Sequence, residues 1–195
     1  LNEHIRDVAR RVARAGYVAL AIDLLSRQGG TSQFPNPTDA GAAYGRTTPE
    51  GRLADLRSSV AYLRSLPDVL EDRIGTVGFC AGGGNAWMLA ISGEPVVAIV
   101  IYYGTPVPSS EFVPDINAKL LCHYAERGRN LSISASGIVP ALINTRRTFG
   151  FHIWEGVGHA FNNDTGAAFD PNVACQTWGQ TLEFFARHLQ PEVQG

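Results

Sequence analysis

The stretch from residue 73 to residue 90 constrains the fold more than any other part of the chain. Its apolar residues 74–79 predict a short buried strand, and a helix is predicted to follow toward Ser92, with only Cys80 between the two. The pentapeptide Gly78-Phe79-Cys80-Ala81-Gly82 matches the G-x-S-x-G pattern of a nucleophile elbow, with cysteine in place of serine. Because such a turn strains its central residue, glycines at positions 78 and 82 fit a junction without room for side chains.

The position of Cys80 allows two interpretations. At the positive end of the predicted helix, its side chain would be favoured as the reactive thiolate. Alternatively, this is a glycine-rich junction with an inert buried cysteine, since cysteine is among the residues most often buried. The pentapeptide alone does not decide between them.

Composition and charge exclude several classes of protein. The 195 residues, 45% hydrophobic and 17% charged, predict a single domain over residues 1–195. The net charge of −2 offers no basic surface for nucleic acid, and the longest apolar run, residues 95–103, is too short to span a membrane. The three cysteines at positions 80, 122 and 175 lack metal-ligand spacing, so we interpret them as free thiols in a reducing, cytoplasmic compartment. We predict neither a metal site nor a cofactor.

Helical and strand patterns alternate along the chain. A continuous apolar run predicts a strand buried on both faces at residues 17–22, and buried strands are also predicted at residues 74–79 and 96–103. Short apolar runs with β-branched or aromatic residues predict two further strands at residues 120–124 and 151–154. Amphipathic helices with good N-caps are predicted to begin after Asn2, Thr48 and Asp170, and a crossover helix is expected within residues 127–150 despite Pro140. This alternation predicts an α/β fold with a doubly wound, mostly parallel sheet flanked by helices.

The segment from residue 23 to residue 48 is predicted to be a long loop that helps to wall a substrate pocket. Arg27 and Tyr44 are its candidate ligand contacts, with solvated loop residues as the simpler interpretation of both.

His159 is the histidine whose position best fits catalysis. Open parallel sheets bind ligands at the carboxyl ends of their strands, and Cys80 and His159 each follow a predicted strand. Nucleophile, acid and histidine is also the chain order of α/β-hydrolases. His4, His123, His152 and His188 lack this placement, and we treat them as structural.

Four motifs in matching order give the chain a specific resemblance over nearly its whole length. They are GFCAGGG (residues 78–84), YYGTP (102–106), EGVGHAFNND (155–164) and TLEFF (181–185). Together they resemble the dienelactone hydrolase family. The resemblance implies an α/β-hydrolase fold and hydrolysis of lactones or small carboxylic esters.

The resemblance also implies roles for individual residues. Cys80 would attack the carbonyl carbon, His159 would act as general base and then as acid, and the backbone N–H of Ala81 would donate to the oxyanion. The candidate walls of the substrate pocket are four aromatic residues, each of which could equally be part of the core: Tyr102, Tyr103, Phe161 and Trp87.

The chain departs from the family pattern in two places. The family's acid falls at Gly128, which cannot orient His159; Glu126 could substitute, although the alignment gives it no such role. At the front, the chain begins with the family's first helix, so the N-terminal strands, a second oxyanion donor and a Glu that interacts with the nucleophile are expected before Leu1. A sheet lacking these strands has a gap, which predicts poor stability or a homo-oligomer.

The sequence therefore favours a cysteine-nucleophile hydrolase acting on a small-molecule ester or lactone. The alternative is a non-catalytic α/β-hydrolase-fold binding or scaffold protein whose triad has decayed at Gly128. A redox-sensing role for Cys80 is less favoured, since no resolving cysteine lies near it in the sequence.

Overall fold

The computed structural model describes residues 1–128 and 131–191. The chain divides into two compact units, Leu1–Val69 and Leu70–Gly195. Over the described residues, none of the helices is long and apolar enough to cross a membrane. That the chain forms a single domain stays a prediction.

The first unit is helical. Its helices are α1 (Glu3–Arg14), α2 (Pro37–Gly45) and α3 (Pro49–Arg64), with 3₁₀ turns at Ser26–Gln28 and Thr31–Gln33. Two of them begin as the sequence predicts, because the Asn2 side chain accepts from the N–H of Ile5 and the Thr48 side chain from that of Gly51. Helix α1 is followed by Gly16 at a φ of +91°, the left-handed conformation in which helices often end.

Two predictions for this unit are wrong. Residues 17–22 form no strand, and Val18 and Leu20 are 48% and 40% exposed. A strand needs a partner for its backbone groups, and residues 1–69 contain no other strand with which this segment could pair. The predicted loop at residues 23–48 contains α2, because Asn36 caps it through a hydrogen bond from the N–H of Asp39 and Pro37 occupies its first turn.

The second unit contains a parallel four-stranded sheet. Its strands are β1 (Gly75–Phe79), β2 (Ala98–Tyr102), β3 (Lys119–Ala125) and β4 (Phe149–Trp154), in the spatial order β1-β2-β3-β4. The residues of β2 are 0% exposed, as expected for a central strand covered on both faces. The predicted parallel α/β architecture is confirmed, and the sheet described here has only these four strands.

Helices cover both faces of this sheet. Helix α4 (Ala81–Ala90) follows β1, and its Trp87 indole N–H donates to the hydroxyl of Tyr124 in β3 at 2.9 Å. Helix α6 (Pro171–Leu189) lies on the other face, where the hydroxyl of Thr181 is 2.7 Å from that of Tyr102, the register partner of His123. Since His123 and Tyr124 are consecutive strand residues, they point to opposite faces, which places α4 and α6 on opposite sides of the sheet.

The crossover helix between β3 and β4 is present as α5 (Leu131–Asn144), with Pro140 inside it. Ile138 and Leu142 are buried, so packing outweighs the cost of proline in a helix interior. Helix α6 buries Thr177 and Thr181 alongside apolar residues, and both hydroxyls donate to backbone carbonyls one turn earlier.

Candidate active site

The elbow places Cys80 between β1 and α4 in a strained conformation. Cys80 has a φ of +53° and a ψ of −116°, a region that non-glycine residues rarely occupy. Two backbone hydrogen bonds hold it there: its N–H donates to the carbonyl of Tyr102 at 3.0 Å, and its carbonyl accepts from the N–H of Gly84 at 3.1 Å. The strain is therefore supported by the neighbouring strand and by the first turn of α4.

The glycines of the elbow have different functions. A Cβ on Gly78 would lie 2.1 Å from the carbonyl oxygen of Gly82, so position 78 has no room for a side chain. A Cβ on Gly82 would meet nothing within 4 Å. The absent side chain of Gly78 therefore leaves room for the backbone of Gly82, whereas position 82 itself could hold a side chain. Gly83 and Gly84 also lack room for a side chain, because the backbones of Gly104 and Thr105 pass close to them.

Cys80 and His159 lie side by side. The Sγ atom of Cys80 is 3.0 Å from Nε2 of His159, although the two residues are 79 positions apart in the chain. Both side chains are exposed, and His159 lies on the loop between β4 and α6. A thiol and an imidazole at this distance can exchange a proton directly, as a nucleophile and its general base must.

Tyr103 forms one side of this pair. It follows β2 at a φ of +40°, and its ring lies 4.9 Å from the ring of His159 and 5.2 Å from that of Phe161. Burial raises the pKa of the Tyr103 phenol far above its ordinary value, and the neighbouring Tyr102 and Cys80 add to this effect. Tyr103 is therefore a neutral residue beside the imidazole.

Helix α4 begins directly after Cys80. Ala81 is the first residue of this helix, and the first N–H groups of an α-helix have no intrahelical partner. Together with the helix dipole, this N–H makes the position next to Cys80 suited to a developing negative charge.

The remaining predicted pocket residues lie in the core. Tyr102 is 0% exposed and stacks on Phe79, with ring centroids 4.6 Å apart. Trp87 is 1% exposed, and its hydrogen bond to Tyr124 continues to the carbonyl of Gly104. Of the four predicted pocket aromatics, Tyr103 packs against the His159 ring, and Phe161 packs against Tyr103.

The segment in which the acid is expected follows β3 and contains Glu126 and Gly128. Gly128 closes a turn by donating its N–H to the carbonyl of Ala125 at 3.0 Å. Glu126 is exposed, and its Oε2 accepts a hydrogen bond from the backbone N–H of Gly156 at 2.8 Å. The Glu126 side chain thus bonds to the backbone of the loop that carries His159.

The two candidate contacts of the first unit are engaged with protein groups. Arg27 donates to Asp55 from two nitrogens, with Nη2 2.6 Å from Oδ1, and borders a surface cavity of about 230 Å³. The ring of Tyr44 lies 5.1 Å from the guanidinium of Arg52. Over the described residues, no group of His, Cys, Asp and Glu could hold a metal ion.

The other histidines have structural surroundings. His123 is 0% exposed, accepts a hydrogen bond from the indole N–H of Trp154 at 3.3 Å, and stacks on His152. Burial, assisted by His152, lowers the pKa of His123 to about 3. His4 is buried in α1, and His188 packs against Phe184.

Comparison with known proteins agrees with this geometry. A sequence model described as the dienelactone hydrolase family matches residues 1–189. A "putative carboxymethylenebutenolidase" of Escherichia coli K12 is 30% identical over 96% of this chain and 73% of its own length. A "probable 2-oxo-3-(5-oxofuran-2-ylidene)propanoate lactonase" of Bradyrhizobium is 29% identical over 97% of this chain and 80% of its own.

A solved structure extends the agreement to the fold. The crystal structure of a "putative dienelactone hydrolase" from Klebsiella pneumoniae superposes with a TM-score of 0.83 at 27% identity, covering 95% of this chain and 82% of that one. The resemblance stated from the sequence motifs is confirmed.

Proposed function

The chain belongs to the dienelactone hydrolase family and is a hydrolase of that family, and on this premise we propose that it cleaves lactones or small carboxylic esters with Cys80 as nucleophile and His159 as general base. The observation that supports this most directly is the 3.0 Å distance between Sγ of Cys80 and Nε2 of His159. The exposure of both groups supports access by a small molecule.

In the first half-reaction, His159 takes the thiol proton while Sγ of Cys80 bonds to the carbonyl carbon of the substrate. The carbonyl π electrons move to oxygen, where the N–H of Ala81 donates to the resulting oxyanion. When the intermediate collapses, the bond from carbon to the leaving oxygen breaks, and His159 gives its proton to that oxygen. A thioester on Cys80 remains, together with an alcohol or, for a lactone, a hydroxyl at the far end of the same acyl group.

In the second half-reaction, His159 removes a proton from water, whose oxygen attacks the thioester carbonyl. Collapse expels the thiolate of Cys80, which regains its proton from His159. The products are a carboxylic acid and the original enzyme. Tyr103 flanks the imidazole as a neutral ring throughout.

The test compares hydrolysis of an activated aryl ester and of a dienelactone by the wild type, Cys80→Ala and the matched control Cys175→Ala. Cys175 is also an exposed free thiol but lies on α6. We expect activity to disappear with Cys80→Ala and to persist in Cys175→Ala. Equal activity in all three proteins would refute Cys80 as the nucleophile, whereas a folded but inactive wild type would favour the non-catalytic protein with a triad decayed at Gly128.

A cytoplasmic location belongs to the same proposal. It is supported by three cysteines that are all free thiols, as expected where thiols are kept reduced. Fractionation of producing cells tests it, and recovery in a secreted or membrane fraction would contradict it.

A further inference from the structure

The loop that bears His159 turns at Gly156, three residues before the histidine. Gly156 has a φ of +73°, a left-handed conformation that favours glycine. At this residue Oε2 of Glu126 accepts the backbone N–H at 2.8 Å. A carboxylate from the end of β3 therefore bonds to the turn that directs the chain toward His159.

Two backbone hydrogen bonds connect the same segments. The N–H of Glu126 donates to the carbonyl of Trp154 at 2.9 Å, and the N–H of Arg127 donates to the carbonyl of Val157 at 3.1 Å. These bonds continue the pairing of β3 with β4 beyond the register pair of Ala125 and Trp154. The backbone thus fixes the base of the loop, and the Glu126 side chain adds a charge-assisted bond at its turn.

We propose that Glu126 is a positioning residue for His159: by bonding to Gly156, it holds the loop where Nε2 of His159 lies 3.0 Å from Sγ of Cys80. The inference rests on the proposed function, in which His159 is the general base. Position 128, where the family resemblance implies an acid, carries no side chain in this sequence. The carboxylate two residues earlier acts on the backbone of the loop, and a shift of the loop by a fraction of an ångström would lengthen the thiol–imidazole contact.

The experiment is done in a Cys175→Ala background so that Cys80 is the exposed thiol. It compares Glu126→Ala, Glu126→Gln and Glu126→Asp with two reference variants. His159→Gln removes the general base, and Glu155→Ala is a matched control that removes an exposed carboxylate next to Gly156 and leaves the hydrogen bond of Gly156 in place. Two quantities are measured: kcat and KM for an aryl ester, and the rate of Cys80 alkylation by iodoacetamide as a function of pH.

We expect Glu126→Ala to lower kcat about tenfold with KM little changed, since a misplaced general base affects the chemical step. Its alkylation profile should shift toward that of His159→Gln. Glu126→Gln should keep most of the activity, because the glutamine amide oxygen can still accept the N–H of Gly156. Glu126→Asp should resemble Glu126→Ala, because the aspartate side chain is one methylene shorter and does not reach Gly156. Glu155→Ala should match the background protein.

The proposal is overturned if folded Glu126→Ala has the kcat and the alkylation profile of the background protein. Partial unfolding would instead make the buried Cys122 reactive toward iodoacetamide. A loss of kcat that appears only together with labelling of Cys122 marks a role limited to stability and also overturns the proposal. If the wild type hydrolyses no ester, the alkylation profiles alone decide, because they report the thiol–imidazole contact without any substrate.

Discussion

Gly78 lies so close to Gly82 that a Cβ on Gly78 would stand 2.1 Å from the carbonyl oxygen of Gly82. The contact is between backbones, so no side-chain rotation can relieve it. The strand and the helix of the elbow can approach each other this closely only while position 78 is glycine.

Gly78→Ala should therefore destabilise the protein by about 3 kcal/mol or more, the upper range for overpacking a rigid site. Gly82→Ala is the matched control in the same motif, because its Cβ would meet nothing within 4 Å and alanine is the better helix former. Chemical denaturation of the two variants beside wild type measures the difference. Equal free energies of unfolding would show that the elbow relaxes more easily than this geometry allows.

His159→Gln should lower kcat/KM for an aryl ester by about 10²–10⁴, the usual contribution of a general base. The physical reason is that glutamine cannot accept the thiol proton of Cys80 at neutral pH. His152→Gln is the control, because His152 is also exposed but packs against His123 in the sheet. Comparable losses in the two variants would mean that His159 has no special role.

The buried His123 should make stability depend on pH. Its pKa of about 3 in the folded protein lies below the ordinary value near 6.5 of an unfolded chain, so the unfolded state binds more protons between these values. The free energy of unfolding should thus fall as pH decreases from about 6.5 toward 3, by up to about 1.4 kcal/mol per pH unit from this group.

His123→Phe removes the titration while keeping a ring between Tyr102 and Trp154. Urea unfolding of both proteins from pH 7 to pH 4 measures the two slopes, and the variant should have the shallower one. The remaining histidines are common to both proteins, so their contribution cancels. Parallel curves would show that His123 takes up its proton without unfolding.

Association of the chain is predicted to involve residues 17–22. This segment lies outside any strand, and its Val18 and Leu20 are 48% and 40% exposed. Exposed apolar side chains grouped in one segment promote contact between chains. Sedimentation velocity should detect oligomers or aggregates of the wild type, and their amount should decrease in the double variant Val18→Lys/Leu20→Lys. The control Leu70→Lys changes an exposed leucine outside this segment and should leave the oligomers in place. A wild type that stays monomeric at all concentrations would refute the prediction.

The sequence was informative wherever the structure depends on local rules. The elbow could be recognised from Gly78 and Gly82 because a strand–turn–helix junction imposes its steric demands within five residues. The starts of α1, α3 and α6 could be predicted from Asn2, Thr48 and Asp170, whose side chains accept hydrogen bonds from the first helical turn. Helix α2 has the same capping residues, Asn36 and Pro37, but the surrounding segment is so rich in turn residues that the sequence favoured a loop.

Properties that depend on distant partners could not be predicted in this way. The apolar run at residues 17–22 has the composition of a buried strand, yet pairing is decided by what lies beside it. The backbone bond of Glu126 to Gly156 joins residues 30 positions apart and has no sequence pattern of its own. His159 could be anticipated because it follows a predicted strand and fits the chain order of a known family, whereas its 3.0 Å distance to Cys80 could not.

The hydrogen bond from the amide of Cys80 to the carbonyl of Tyr102 has a consequence for motion as well as for geometry. Tyr102 belongs to β2, which lies between β1 and β3, and a bond to such a central strand breaks mainly when the sheet itself opens. The backbone of Cys80 is therefore held by one of the most persistent parts of its unit. His159 lies instead on a surface loop, and loops open locally at lower free energy. Fluctuation in the distance between Sγ of Cys80 and Nε2 of His159 should therefore come mainly from movement of the histidine loop, while the thiol keeps its position.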